Sequence, residues 1–241
     1  MLVSRKAAGT LFVGGALSIT LGSLVYPSML GVQKVSSAPE RIVATPATGP
    51  LTEADRDFVV KVRSAGLWEY PVGQRAIKKG TTKAVRNAGK HLVDGDASLD
   101  AAVRNVANQL GITLPNQPSP QQQSFESRLN KESGKQFATD MATTVRATNG
   151  QFLTTIASIR STTRNSLVRA LADQANDTVL DHITVVEETG LVDFTQALAQ
   201  ETTSPNLPAQ NLTPPPAVAG EPQVVLTPPA NSTTSPSPTV G

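Results

Sequence analysis

Residues 83–111 read KAVRNAGKHLVDGDASLDAAVRNVANQLG, and this stretch decides the fold class. Its apolar side chains recur at intervals of three and four residues, which is the spacing of one face of an amphipathic helix. We expect this helix to begin near Thr82 and to end at Gly111, where a left-handed residue belongs. The apolar positions are Val85, Ala88, Leu92, Leu99, Ala102, Val103, Val106 and Leu110.

The neighbouring segments carry the same helical spacing. Upstream, Thr52 and Asp55 have the arrangement of a capping box and predict a helix that runs to about Lys79. Pro71 lies inside that helix and removes a backbone donor, so we expect a kink or a break near Tyr70. Downstream, the pattern predicts a short helix over 121–132 and long helices over 135–163 and 166–189.

No segment of strand length alternates between apolar and polar residues in this part of the chain. Four long amphipathic helices joined by short connections favour an antiparallel four-helix bundle with one extra short helix. The sequence therefore predicts an all-α domain over residues 51–194.

The N-terminus has the composition of a targeting segment. Arg5 and Lys6 precede an uncharged run from Ala7 to Gln33, which is apolar between Ala7 and Val25. Residues 1–33 are therefore predicted to be a signal peptide or a membrane anchor. Cleavage near Ser37 would release a secreted protein, whereas retention would tether it, and the sequence leaves both alternatives open. Either way the predicted location is extracytoplasmic.

The regions on either side of the predicted domain lack periodicity. Residues 34–50 are rich in Ser, Ala, Thr and Pro and are predicted to be a linker. Residues 202–241 contain 10 of the 18 prolines, so we expect the whole tail over 195–241 to be disordered. Such a tail would serve as a spacer in the cell envelope or would contact cell-wall or envelope proteins.

Composition and motifs exclude several functions. The chain has no cysteine, so it has neither disulfides nor a thiol nucleophile. Residues 51–201 carry 17 basic and 17 acidic side chains, which argues against nucleic-acid binding. Neither a Gly-x-Ser-x-Gly elbow nor a Gly-x-x-x-x-Gly-Lys loop is present in the domain. We therefore predict no catalytic residues, no cofactor and no enzymatic activity.

A few titratable residues are candidates for a site, although each also has an ordinary structural role. Glu69 either faces the interior or is exposed and paired with an arginine. Asp94, Asp96 and Asp100 lie on one side of a helix, and we expect a solvated acidic face there rather than a cation site. His182 is expected to be half-buried with one nitrogen hydrogen-bonded.

Several short motifs resemble the exported helical family called "domain of unknown function 4142", whose members are often described as ferritin-like or outer-membrane proteins. The resemblance covers roughly residues 51–194 and is greatest for the branch found in high-GC Gram-positive bacteria. The motifs are 57–59 (DFV), 65–69 (AGLWE), 83–86 (KAVR), 91–94 (HLVD), 110–115 (LGITLP), 164–169 (RNSLVR) and 179–182 (VLDH).

The resemblance implies a ligand set that this chain does not fully carry. Typical members have an Asp-His pair on the second helix, another on the following long helix and a Glu-His pair on the last. In register, the first two histidines fall on Asp96 and Val145, and His182 alone is retained. We therefore expect no metal and a non-enzymatic cell-envelope or interaction protein with a degenerate site. The alternative is a metal or small-ligand site rebuilt from Glu69, Asp96 and His182.

Overall fold

The structure, a computed structural model, describes residues 41–202 and 207–228. This part of the chain is mostly helical and contains one two-stranded sheet. The strands are β1 (Ile42–Ala44) and β2 (Leu51–Thr52). The helices are α1 (Glu53–Lys79), α2 (Lys83–Leu110), α3 (Pro120–Lys131), α4 (Gly134–Thr162), α5 (Ser166–Glu187), α6 (Phe194–Thr202) and α7 (Ala209–Leu212).

The predicted helix ends agree closely with those of the structure. Thr52 and Asp55 form the reciprocal capping box of α1, with the two hydrogen bonds at 2.9 and 3.1 Å. Thr82 caps α2 by accepting from the amide of Val85, and Gly111 ends that helix with a φ of 66°. These local signals fix the two longest predicted elements because each satisfies backbone groups that a helix end leaves unpaired.

Of the kink or break expected near Tyr70 and Pro71, the break is wrong. Helix α1 is continuous from Glu53 to Lys79 and contains Pro71 in its interior. Val72 on the C-terminal side of this proline is fully buried, as is Trp68 on its N-terminal side. Packing on both sides of the proline outweighs the cost of one lost backbone hydrogen bond.

The four long helices contact one another in a closed order: α1 packs on α2, α2 on α5, α5 on α4, and α4 on α1. Two apolar cores lie along them. The first core includes Phe58, Val103, Ile156, Leu171 and Val179. The second core includes Trp68, Leu92, Phe137, Met141 and Val186. Each long helix contributes to both cores, so each passes through the region between them.

The predicted linker over 34–50 contains ordered structure in its described part. β1 pairs with β2 in antiparallel register, with Ile42 opposite Thr52 and Ala44 opposite Leu51. The connecting turn is held by Asn165, whose side-chain amide donates to Thr48 Oγ1 and to the carbonyl of Gly49 at 3.1 and 2.9 Å. Strands of three and two residues are too short to show alternation, which is why the sequence pattern missed them.

The prediction of a disordered tail also differs from the structure over 195–202 and 207–228. Asp193 accepts from the amide of Gln196 at the start of α6, and Ala197 is buried against the domain. Arg146 of α4 pairs with Glu201 of α6. Further along, Leu226 is buried in a small apolar cluster with Leu67 and Ala97. Specific contacts to the helices therefore order segments that composition alone assigned to solvent.

The predicted export segment and the last residues of the tail lie outside the described residues. Within the described residues, no helix has both the length and the apolar character that a membrane span requires.

Candidate metal centre

A layer of four buried polar side chains separates the two apolar cores. Each long helix supplies one of them: Glu69 from α1, Asp96 from α2, Asn149 from α4 and His182 from α5. Their relative exposures are between 1% and 4%. Because charged and polar side chains are rarely buried without a partner, four of them at one level of the fold indicate a site rather than packing alone.

Glu69 is the centre of the hydrogen bonding in this layer. The side-chain amide of Asn149 donates to both carboxylate oxygens at 3.1 Å. Nδ1 of His182 lies 3.2 Å from Oε2 of Glu69. When Nδ1 carries the proton and donates to this carboxylate, Nε2 is left with an available lone pair. The contact with Glu69 therefore orients the imidazole and selects the tautomer that binds a metal.

Two buried atoms of the layer have no hydrogen-bond partner among the described residues. They are Oδ2 of Asp96 and Nε2 of His182. A buried polar atom left unpaired costs about 1 to 3 kcal/mol, so an arrangement with two such atoms in one cluster needs an explanation. A carboxylate oxygen and an imidazole nitrogen are both of the types that bind metal ions.

Asp96 is electrostatically strained in the metal-free layer. Burial raises the pKa of its carboxyl well above the ordinary value, and the negative charges of Glu69 and Asp100 raise it further. A divalent cation beside Asp96 would oppose this rise in pKa, because a positive charge favours the ionised form of the carboxyl groups of Glu69 and Asp96.

One ligand atom from each of Glu69, Asp96 and His182 can be chosen so that all three lie within 4.8 Å of one another. Donors about 2.1 Å from a tetrahedral Zn²⁺ ion are about 3.4 Å apart. Side chains of the cluster would therefore have to move together by up to about 1 Å to bind such an ion. One imidazole nitrogen and two carboxylate oxygens suit Zn²⁺, Mn²⁺ or Fe²⁺.

Glycines give the layer its space. A Cβ added at Gly95 would lie 2.5 Å from Nε2 of His182, so a side chain there would displace the imidazole. A Cβ added at Gly66 would lie 3.7 Å from Oδ1 of Asp96. The helices can approach each other here and still leave room for the polar side chains.

Asp100, one turn after Asp96, belongs to a different arrangement. Its carboxylate pairs with the buried guanidinium of Arg63 and, at 2.9 Å, with Nε of Arg104. It also accepts the amide of Leu226 at 3.1 Å. With these partners, Asp100 is paired with two arginines and is a neighbour of the centre rather than one of its donors.

A cleft of about 620 Å³ lies beside the centre, between α1, α3, α4 and α6. Glu69 forms part of its wall, together with the rings of Trp68, Phe125 and Phe152. Several amide side chains line the rest, namely Gln121, Gln122, Gln151, Gln196 and Gln200. A cleft of this size, with aromatic rings and a few polar groups, is typical of small-molecule sites.

The structure brings together the three residues that the sequence left as weak candidates. The expectation of a solvated acidic face is wrong for Asp96 and Asp100, which are both 4% exposed. His182 is fully buried rather than half-buried, with Nδ1 bonded. The other histidine, His91, lies at the surface and pairs with Asp181 at 2.9 Å.

Asn149 is the member of the layer that sequence analysis missed. It sits in α4 between Val145 and Phe152, on the spacing of the apolar face. A polar residue at an apolar position of an otherwise regular helix is a usable signal of a buried network. Asparagine is a weak metal ligand, so its position alone does not indicate a metal site.

These features define a class: a helical protein with a buried carboxylate and histidine cluster between two apolar cores. The family model "Domain of unknown function (DUF4142)" matches residues 42–189, which confirms the resemblance seen in the sequence motifs. The chain belongs to the DUF4142 family. Searches of curated proteins and of solved structures found no match.

Proposed function

We propose that this protein binds one divalent transition-metal ion in the cluster of Glu69, Asp96 and His182, with Asp96 and Nε2 of His182 as ligands and Glu69 as the carboxylate that accepts from Nδ1 of the imidazole. This is the rebuilt site that the sequence left as an alternative, and it replaces the expectation of a degenerate site without metal. The single observation that carries the proposal is the pair of unpartnered buried atoms, Oδ2 of Asp96 and Nε2 of His182, in a cluster that already contains a second carboxylate.

The charge of the layer supports the same assignment. With both carboxyl groups ionised and the imidazole neutral, Glu69, Asp96 and His182 together carry two negative charges in a dry interior. A divalent ion cancels them and removes the unfavourable interaction between the carboxylates. Asn149 donates to both oxygens of Glu69 and so fixes the carboxylate that orients the imidazole.

The proposal also covers the type of bundle and the location of the protein. The closed order of helix contacts favours an antiparallel four-helix bundle of the ferritin-like kind, with the centre at its middle. The basic and apolar N-terminal sequence favours export, with the domain held at the outer face of a membrane or secreted. In that setting the protein is a non-enzymatic metal-binding component of the cell envelope. Mass spectrometry of the mature N-terminus after cell fractionation distinguishes a tethered form from a cleaved one.

Metal binding is tested by titration of the purified protein with Zn²⁺, Mn²⁺ and Fe²⁺, followed by elemental analysis. We expect one ion per chain for at least one of these metals. His182→Ala should abolish binding. His91→Ala is the matched control, because His91 lies at the surface, pairs with Asp181 and is not a member of the buried cluster. Equal binding by both variants, or no stoichiometric binding by the wild type, would refute the proposal.

The cleft beside Glu69 favours a second candidate function, the binding of a small organic ligand. Trp68 borders this cleft and is the only tryptophan of the chain, so its fluorescence reports occupancy directly. A screen of small aromatic and amide-binding compounds should then find ligands that shift this emission. Phe125→Ala should weaken such ligands, while metal binding in the same variant stays unchanged.

A further inference from the structure

The described part of the tail includes an extended segment, residues 222–228, that lies along α1, α2 and the loop between α2 and α3. We call this segment the C-terminal strap. Asn116, in that loop, holds its first half from both sides. Nδ2 of Asn116 donates to the carbonyl of Pro222 at 3.2 Å, and Oδ1 accepts from the amide of Val224 at 3.0 Å. An asparagine that pairs in this way recognises main chain rather than a particular side chain.

The second half of the strap is bound in the same manner. The carbonyl of Val224 accepts from the guanidinium of Arg63 at 2.7 Å. The amide of Leu226 donates to Asp100 at 3.1 Å, and the hydroxyl of Tyr70 donates to the carbonyl of Thr227. Side chains of the domain therefore bind backbone groups of residues 222, 224, 226 and 227, as a peptide-binding groove binds an extended ligand.

One side chain of the strap enters the domain. Leu226 is 7% exposed and packs with Leu67 and Ala97, whereas Val224 and Val225 are 40% and 50% exposed. This contrast is the pattern of an anchor residue in a specificity pocket, with its neighbours pointing outward.

The anchor lies beside the metal centre. Both Cδ1 of Leu226 and Oδ1 of Asp96 are close to the position of a Cβ at Gly66, at 3.3 and 3.7 Å. The gap bounded by Gly66, Asp96, Asp100 and Leu226 has no space for a water molecule. Without Leu226, this side of Asp96 would open between α1 and α2, because Gly66 has no side chain to cover it.

We infer that this groove is a peptide-binding site whose ligand is the chain's own strap, and that the strap closes the metal centre at Asp96. The partner is thus an extended peptide with an aliphatic anchor between two prolines, supplied in the same chain. Its release would open a path to Asp96 and would speed both uptake and loss of metal. The second part of this inference rests on the proposed metal function, whereas the peptide groove stands on its own contacts.

The test compares the full-length wild type with Asn116→Ala/Tyr70→Phe. Both substitutions remove contacts to the strap and leave Glu69, Asp96 and His182 unchanged. Asn176→Ala is the control, since this partly buried asparagine of α5 lies on another helix and contacts its neighbour Asp177 at 3.5 Å. Hydrogen exchange of the peptide 221–228 measures strap docking without any metal. The rate of Co²⁺ removal by excess EDTA measures closure of the centre.

In the wild type and in the control, we expect a slowly exchanging amide at Leu226 and slow loss of Co²⁺. In the double variant, both rates should rise at least tenfold, while the equilibrium Kd for Co²⁺ changes less than threefold because uptake also becomes faster. If exchange speeds up and Co²⁺ loss does not, closure of the centre is refuted. If residues 221–228 exchange freely in the wild type, the docked strap is refuted.

Failure of the metal function has a different outcome. In that case the wild type binds no Co²⁺ although the amide of Leu226 is protected, and the groove is then tested with a free peptide. Leu226→Arg should expel the anchor, and this variant should bind a synthetic peptide of residues 221–228. Adding Asn116→Ala should weaken the peptide at least tenfold, and an unchanged peptide affinity would refute the groove.

Discussion

Gly95 of α2 and His182 of α5 approach so closely that a Cβ on residue 95 would lie 2.5 Å from Nε2 of the imidazole. Real side chains do not tolerate this distance, so an alanine there must move the histidine. Because Nε2 is one of the two unpartnered atoms of the cluster, this glycine and this histidine jointly set the space around that atom.

Gly95→Ala should therefore lower metal affinity at least tenfold, as measured by competition with a chelating dye. The same change should have opposite effects on stability in two backgrounds. Beside His182, overpacking costs about 1 to 3 kcal/mol and exceeds the gain of about 1 kcal/mol in helix propensity. In His182→Ala, the clash with the imidazole is absent; Cγ2 of Thr178, 3.1 Å from the Cβ position, has to give way only slightly, so Gly95→Ala should stabilise the fold. Chemical denaturation of the wild type, Gly95→Ala, His182→Ala and the double variant gives the change in free energy of unfolding in each background. A Gly95→Ala effect that does not depend on residue 182 would contradict this account.

Asn149 should control the centre without being a ligand. Asn149→Ala removes the amide that donates to both oxygens of Glu69, so the carboxylate loses its fixed orientation. We expect metal affinity to fall about 10- to 100-fold, the usual effect of removing an outer partner of a ligand. Glu69→Gln should reduce binding more severely, since it removes a negative charge. Thr148→Ala is the control in isothermal titration, because Thr148 bonds only to carbonyls of its own helix.

The sequence predicted the helices well and the centre only in part. Capping at Thr52 and Thr82 and the left-handed Gly111 are local signals, so α1 and α2 could be placed from the sequence alone. The burial of Asp96 was not predictable in this way, because its neighbours Asp94 and Asp100 suggest an acidic surface. The apolar stripe of α2 shows which side faces the interior, but it does not show which polar residues beside the stripe are covered when α1 and α5 pack against α2.

For the tail, the sequence predicted less ordered structure than the protein has. Proline-rich composition predicted disorder, yet residues 222–228 bind to the domain through main-chain groups that composition does not describe. The signal that was available is the apolar run Val224, Val225 and Leu226 between two prolines. Such a run in a polar tail indicates an anchored segment, whereas the surrounding Pro and Thr content alone indicates solvation.

Gly49 should be essential to the turn that precedes β2. Its φ is 108°, and a Cβ there would lie 2.3 Å from the carbonyl oxygen of Arg164. Gly49→Ala should therefore lower the free energy of unfolding by clearly more than the roughly 1 to 2 kcal/mol of a left-handed alanine. Gly134→Ala is the matched control, since Gly134 has a φ of 59° and no atom near its missing Cβ. Urea denaturation of both variants gives their losses in free energy of unfolding, and the difference is the cost of the clash with Arg164. Equal losses would show that the turn shifts and avoids the clash without cost.

Asp96 should make the metal-free protein less stable as the pH rises. Its carboxyl pKa is raised in the folded state by burial and by the charges of Glu69 and Asp100, whereas the unfolded chain has a pKa of about 3.9. Between these two values the folded state holds a proton that the unfolded state has released. The free energy of unfolding therefore decreases as the pH rises from the unfolded-state pKa to the folded-state pKa. The stabilising contribution of the Asp96 proton is complete only below this range.

Asp96→Asn keeps the shape of the side chain and removes this titration. Urea denaturation from pH 4 to pH 8 in the presence of EDTA should give a flatter profile for the variant, which becomes more stable than the wild type at the upper end. The difference between the two profiles reports the contribution of residue 96. Asp173→Asn, an exposed pair with Arg160, should leave the wild-type profile unchanged. Saturating Zn²⁺ should reverse the order, because only the wild type has the carboxylate that the ion stabilises; a variant that gains equally from Zn²⁺ would exclude Asp96 as a ligand.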